Sequence, residues 1–137
     1  MNTVFELIMG LPASGKSTYM AAAARSRPGP VVVIDDPKDF YADVVFRIVP
    51  GAMHLIADCH LCIPEVRKSA EVRLRGAELM CEFRYTYFSN EPEQCLKNLA
   101  ARMAAGDLRT AESMIRQLSP LYVIPEGVVV IPVWRQG

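Results

Sequence analysis

The sequence predicts an α/β fold: a three-layer sandwich with a mainly parallel five-stranded sheet, helices on both faces and a small lid. Three observations predict it. Short apolar runs, Thr3–Met9, Val31–Asp35 and Ala52–Asp58, alternate with stretches of helical character. The second and third of these runs close on acids, at the strand ends where open α/β sheets gather their ligands. The first run passes directly into Gly10-Leu-Pro-Ala-Ser-Gly15-Lys16-Ser17, which fits G-x-x-x-x-G-K-[ST] at every position.

Taken in order, Thr3–Met9 is a partly β-branched strand stopped by Gly10. Lys16–Arg27 is alanine-rich and helical until Pro28-Gly29-Pro30 ends it. Val31–Asp35 is a continuous apolar run, expected to be a strand buried on both faces. Pro37 suits the first turn of a helix reaching about Arg47. After the strand Ala52–Asp58, Pro64 to about Met80 is expected to be helical, with Val66, Ala70, Ala77 and Cys81 as its inward stripe. Phe83–Phe88 is a fourth strand. Asn90-Glu91-Pro92-Glu93 starts a helix whose apolar side is Leu96, Leu99 and Met103. Ala104–Asp107 breaks it, and Leu108, Ala111, Ile115 and Leu118 line the next helix. Val128–Trp134 is the last strand, with Pro132 placing its end at a sheet edge.

The 137 residues are one domain's worth, with a lid at about 102–111. Hydrophobic residues at 51% and charged ones at 22% describe a globular chain rather than a disordered one. Lys plus Arg and Asp plus Glu are 15 each, so any polyanion site has to be a local basic patch. No apolar run approaches the ~20 residues of a membrane span. With no export signal read at the N-terminus, the four cysteines are expected to be reduced thiols in a cytoplasm.

The glycine-rich segment has an explicit chemistry. Its backbone can wrap a phosphate, and successive N–H groups with the following helix N-terminus supply positive potential. Gly10, Ala13, Ser14, Gly15, Lys16, Ser17 and Thr18 are the expected contacts to ATP. Lys16 is expected to reach the β- and γ-phosphates, and the Ser17 hydroxyl to take a Mg²⁺ position.

A hydroxyl acceptor needs a carboxylate to take its proton. Asp35 is the first candidate, with Asp36 as its alternative or as a helix cap. Asp58 would hold Mg²⁺ through water or orient the acceptor. Lys38 and His60 are candidate acceptor contacts. Arg102, which shares a helix face with Asn98, is the first choice for neutralising the transferring phosphoryl, and Arg109 the second. Arg67, Lys68 and Arg75 form a basic helix face suited to a nucleic-acid backbone or simply to solvent. Cys59-x-x-Cys62 with His60 lacks the second ligand pair of a zinc site.

These residues resemble a family. GLPASGKST, Asp35-Asp36-Pro37-Lys38 and Ala57-Asp58-Cys59-His60-Leu61, with the Lys97-Asn98…Arg102 run, look like bacteriophage polynucleotide kinase. Its relatives, small P-loop kinases related to zeta toxins, share the layout. The resemblance implies that Asp35 is the general base, Lys38 contacts the acceptor and Arg102 supports the transition state. Lys38 stands where the family usually has arginine, and His60 replaces an amide-type residue. Similar single-domain kinases of phages with hypermodified DNA act on 5-hydroxymethyluridine in DNA. The expected acceptor is therefore that hydroxymethyl group or a 5′-hydroxyl end of DNA, in a bacterial host cytoplasm if the chain is phage-encoded. A small-molecule or nucleoside kinase and an ATP-hydrolysing switch are the alternatives.

Overall fold

A computed structural model describes residues 2–102 and 105–135, with side chains for all of these but 105–107. Five strands form one all-parallel sheet in the order β2-β3-β1-β4-β5. They are β1 Thr3–Met9, β2 Val31–Asp35, β3 Met53–Ala57, β4 Cys81–Phe88 and β5 Val130–Ile131. Helices α1 Lys16–Ser26, α2 Phe40–Asp43, α3 Pro64–Ala77, α4 Pro92–Ala100 and α5 Ala105–Leu118 flank it.

Strand pleating divides the core in two. Phe5, Leu7 and Met9 of β1 pack with Leu74 of α3, Leu99 of α4 and Ile115 of α5. Ile8 faces the other way, with Met20 of α1, Leu55 and Phe88. The asymmetry follows from crossover handedness: the chain leaves β1 towards one edge through α1, and later crossovers travel back and lay their helices on the opposite face. The loops after neighbouring β1 and β3 therefore depart to opposite faces and leave a crevice between them.

Helix α1 buries Met20 fully and packs Tyr19, Ala23 and Ala24 partly against the sheet, and polar contacts hold it as well. Beneath it Glu6 of β1 is 2% exposed. Arg27 Nη2 donates to Glu6 Oε1 at 2.7 Å, while the Tyr19 and Thr86 hydroxyls donate to Oε2 at 2.5 and 2.9 Å. A carboxylate at this depth is tolerated only when so satisfied.

Several expectations need correction. β2 is an edge strand, so Val33 is exposed and Ile34 alone is buried, not both faces of the run. The helix expected from Pro37 to Arg47 shrinks to α2 and a 3₁₀ turn at Val45–Arg47. Asp43 Oδ2 folds back onto the N–H groups of Lys38 and Asp39, at 3.0 and 2.9 Å, and offers that backbone an alternative to a longer helix. In α3 the buried stripe is Ala70 and Leu74; Val66 and Ala77 are exposed, and Cys81 already belongs to β4. The break expected at Ala104–Asp107 comes earlier: α4 ends at Ala100, which leaves Arg102 in a turn rather than on a helix face with Asn98, and α5 has begun by Ala105. β5 keeps only Val130–Ile131 of the run to Trp134, because Pro132 has no N–H to continue the ladder.

Replacing Glu6 by Ala should destabilise the protein by about 3 kcal/mol, because Arg27 loses its partner across a largely dry contact. Urea unfolding of the variant checks this; an unchanged midpoint would mean that the Glu6 network contributes nothing to holding α1.

Candidate functional site

The β1–α1 loop, Gly10–Gly15, is tethered from several sides. Lys16 Nζ turns back and donates to the carbonyls of Gly10 and Leu11, at 2.7 and 2.8 Å. Asn98 of α4 donates through Nδ2 to Ala13 O at 3.0 Å and to Trp134 O at 2.6 Å. The Trp134 N–H donates to Ser14 O at 3.0 Å. Below the loop, the buried Tyr122 hydroxyl donates to the Phe88 carbonyl and lies 3.2 Å from that of Met9, joining the C-terminal ends of β4 and β1.

These bonds occupy the loop's carbonyls and impose its conformation. Ala13 and Gly15 are left-handed, with φ of 67° and 109°. The first helical acceptor of α1 is used by Tyr19, whose N–H bonds Gly15 O at 3.0 Å. The N–H groups of Gly15, Lys16, Ser17 and Thr18 thus precede the helical ladder, and no side chain caps them. A Cβ added at Gly10 would meet Ser14 Oγ at 2.5 Å, and one at Gly15 would meet Trp134 Cβ at 3.0 Å. Ser14 Oγ itself is buried with no hydrogen-bond partner among the described residues. Amides left free at a helix N-terminus in this way can accept an anion.

Lys16 provides the charge. Burial pulls its ammonium below the usual lysine range, an effect only partly opposed by nearby Cys59, Cys62, Cys95 and Asp35. Its hydrogen bonds go to neutral carbonyls, so an arriving anion would favour its charged form.

The crevice opens into a cavity of about 260 Å³ whose lining includes Lys16, Ser17, Asp35, Asp36, Asp58 and Arg102. Asp35 is turned to the loop: Ser17 Oγ donates to its Oδ2 at 2.5 Å. Asp36 has φ 51°, and its N–H bonds Ala57 O at 2.8 Å, which ties the end of β2 to the end of β3. Neither acid caps α2. That role belongs to Asp39, whose Oδ1 accepts from the N–H groups of Tyr41 and Ala42, both at 3.0 Å. Asp58 caps the 3₁₀ turn Cys59–Cys62, accepting from the His60 N–H and Nδ1 at 3.0 Å each.

Asp58 also borders a second cavity of about 330 Å³ on the α3 side of the sheet. Leu7, Phe40, Ile56 and Leu61 give it apolar walls, and Glu65 and Arg73 are polar groups at its lining. Arg73 lies over the rings of Phe40 and Tyr41, 5.4 and 5.7 Å from their centroids.

Not every predicted residue gathers here. Lys38 and His60 are exposed and line neither cavity, and Arg109 is exposed on α5 away from both linings. Of the lid expected at Arg102–Ala111, Arg102 lies in the turn after α4, residues 103 and 104 lie outside the described residues, and Ala105 onwards opens α5. Of the basic face, Lys68 and Arg75 are exposed and Arg67 is half-buried, with Arg67 5.5 Å from the Tyr87 centroid and Arg75 4.7 Å from that of Phe83. Sequence reasoning missed Asn98 as the loop's clamp and Trp134 as its neighbour. The signal for Asn98 was available, since an amide at the centre of an apolar helix face needs partners.

The donor atoms of Asp58, Cys59 and His60 lie within 4.8 Å of one another. Burial pushes the Cys59 thiol up to about 11, so binding a metal there would mean stripping a proton from a buried sulfur. The same cause raises Cys62 to about 12 and Cys95 to about 11.

Two outcomes are expected. Asn98→Ala strands the Ala13 and Trp134 carbonyls and should cost about 2 kcal/mol in urea unfolding; wild-type stability would show that the clamp carries no load. The thiols make the fold sensitive to alkali. Unfolded thiols give up protons first, so their stabilisation is complete below pH 9 and is lost as pH climbs towards the raised folded values. Each thiol should remove about 1 kcal/mol between pH 9 and 10. Lys16 works in the opposite direction but is one group against three. Urea midpoints at pH 8 and 10 test the net fall, which Cys62→Ala should lessen.

Comparison with protein-family models and with curated proteins returns no match for this chain.

Proposed function

We propose that the chain is an ATP-dependent kinase of the P-loop type that transfers the γ-phosphoryl group to a hydroxyl on DNA. The acceptor is the hydroxymethyl group of 5-hydroxymethyluridine or a 5′-hydroxyl end. One observation carries the reading: an uncapped amide loop, a desolvated lysine and a carboxylate turned to that loop share one cavity. The unpartnered Ser14 hydroxyl supports it, as do Gly10 and Gly15, where the loop packs too closely on Ser14 and Trp134 to admit a side chain.

On this reading the N–H groups of Gly15–Thr18 and the Lys16 ammonium bind the phosphates, while Ser17 and Asp58 hold Mg²⁺. When bound, Mg²⁺ neutralises charge on the β- and γ-phosphates. Asp35 accepts the acceptor's proton as its oxygen bonds to the γ-phosphorus and the bond to ADP breaks. Arg102 balances the charge spread over the transferring oxygens. Asp36, Lys38 and His60 remain candidate acceptor contacts, and Arg109 a candidate nucleotide contact.

The second cavity supports an acceptor site, since it meets the first at Asp58. Its lining is largely apolar, with Asp58 and Glu65 as acids and Arg73 as its cation, which favours a neutral acceptor group over a phosphate. The same observation, with Arg67 and Arg75 placed over aromatic rings, favours a second reading: a kinase for a nucleoside or another small alcohol.

Incubation with γ-labelled ATP and three acceptors, 5′-hydroxyl oligonucleotides, hydroxymethyluridine DNA and a nucleoside panel, separates these readings. Label in free phosphate alone would leave an ATP-hydrolysing switch instead. Lys16→Ala should reduce transfer by about 100-fold or more through loss of charge stabilisation. Asp35→Asn should keep ATP binding and lower transfer by about 10²–10⁴-fold; wild-type rates from that variant would remove Asp35 from the role of base.

A further inference from the structure

We infer that the chain pairs with a second copy of itself through the open edge of β4, Cys81–Tyr85, the two strands running antiparallel about a two-fold axis at Phe83. The inference is independent of the kinase reading. Pairing within the chain leaves this edge bare: β4 meets β1 along Cys81–Tyr87, whereas β5 covers its other side only at Tyr87 and Phe88. The Met80 carbonyl accepts from the Thr3 N–H at 3.1 Å, so the main-chain groups of Glu82, Arg84 and Thr86 point to β1 as well. Those of Cys81, Phe83 and Tyr85 point outward and have no partner among the described residues. Sheet edges are ordinarily blunted against such pairing, and the other two edges here are. Pro30 and Pro37 flank β2, and Arg47 Nη2 donates to its outward Val33 carbonyl at 3.3 Å. β5 has two residues before Pro132. β4 is instead eight residues long, with neither Pro, Gly nor Lys.

Charge singles out the occupant and the register. Outward-pointing residues must oppose one another, and the alignments that overlap most of the edge are centred on Glu82, Phe83 or Arg84. Centring on Glu82 sets that acid against its own copy, and centring on Arg84 does the same to the guanidinium; like charges directly opposite are destabilising. Centring on Phe83 sets Glu82 against the partner's Arg84, and Arg84 against the partner's Glu82. Both side chains are available, since they are exposed and meet within the chain only at 3.6 Å. Phe83 then opposes its own copy and Cys81 opposes the partner's Tyr85, each pair exchanging two main-chain hydrogen bonds. The ends match as well. Met80 falls opposite the partner's Thr86, one step before Tyr87, whose neighbour on β5 is Val130. Leu79 and Met80, 85% and 69% exposed, thereby come up against the partner's Val129, 86% exposed. None of Cys81–Tyr85 lines the cavities described above, so both crevices stay open.

Sedimentation equilibrium of the reduced full chain should show a monomer–dimer equilibrium. Glu82→Arg and Arg84→Glu each set like charges opposite in both pairs, and each should weaken association about 10-fold or more. Mixed in equal amounts, the two variants should form a heterodimer of near wild-type affinity, because Arg then opposes Glu in both pairs. Tyr85→Cys places a new thiol opposite the partner's Cys81, at the Cα spacing a disulfide spans, and should oxidise to a covalent dimer. Adding Cys81→Ala to it should abolish that cross-link. Urea midpoints check that each variant keeps its fold. A wild-type chain still monomeric at about 1 mM would overturn the inference. So would a dimer indifferent to both charge reversals, or variants that fail to associate on mixing.

Discussion

The site depends on an ammonium group whose hydrogen-bond partners among the described residues are two peptide carbonyls. Lys16 reaches back over its own loop to Gly10 and Leu11 and closes the loop without neutralising itself. An exposed ion pair at this place would satisfy the lysine and leave little for a ligand. Carbonyl partners do the reverse: they fix the amine's position and leave its charge uncompensated where burial makes charge costly. The rest of the loop follows from peptide geometry. In a trans peptide the C=O and the next N–H point apart, so the Ser14 carbonyl taken up by Trp134 sets the Gly15 N–H away from that segment. The loop's conformation is therefore held by α4 and the chain after β5. That preorganisation is what lets a receptor bind without a large ordering cost.

The crevice is as much a product of topology as of the loop. Moving from β1 to β2 in one direction, and then returning across the sheet, places the ends of β1 and β3 side by side with their connections on opposite faces. Asp35 and Asp58 end adjacent strands, and the Asp36 N–H bonded to Ala57 O holds those two ends together. Asp39 and Asp43 complete the arrangement from outside. By satisfying the start of α2 themselves, they leave Asp35 and Asp36 at the cavity rather than committed to a cap.

What could be read from the sequence was what is encoded locally. The strand Thr3–Met9, the start of α1 at Lys16 and the glycine loop between them depend on neighbouring residues, and the structure has each where periodicity places it. Asp35 and Asp58 were readable for the same reason, since a strand's end is marked by its own residues. The misses involve distant partners. Asn98 bonds Ala13 across 85 positions, and nothing near Asn98 in sequence names that partner. Paired by helical spacing with Arg102 it looked like half of an active-site face, whereas its amide is occupied in structure. Glu6 was absorbed into an apolar run because its three partners come from α1, Arg27 and β4. Arg67, half-buried over Tyr87, and Arg75, exposed yet lying over Phe83, also make contacts that a helix wheel does not show.

The buried carboxylate of Glu6 bears on the site through α1. This helix begins at the loop's last glycine, so any slide along the sheet would move Lys16 and Ser17 together. Its alanine-rich face offers little shape to resist sliding, because small side chains interlock weakly. Hydrogen bonds of fixed direction do resist it. Tyr19, close to the start of the helix, and Arg27, just past its end, are both held by one carboxylate on the central strand. A buried polar network of this kind is weak evidence for stability, but it can specify register, a role that buried polar groups serve in some packed helices. The spacing between Lys16 and Asp35 then follows from two anchors: Glu6 holds the helix on β1, and the pairing of β2 with β3 and of β3 with β1 holds the strand end that carries the acid.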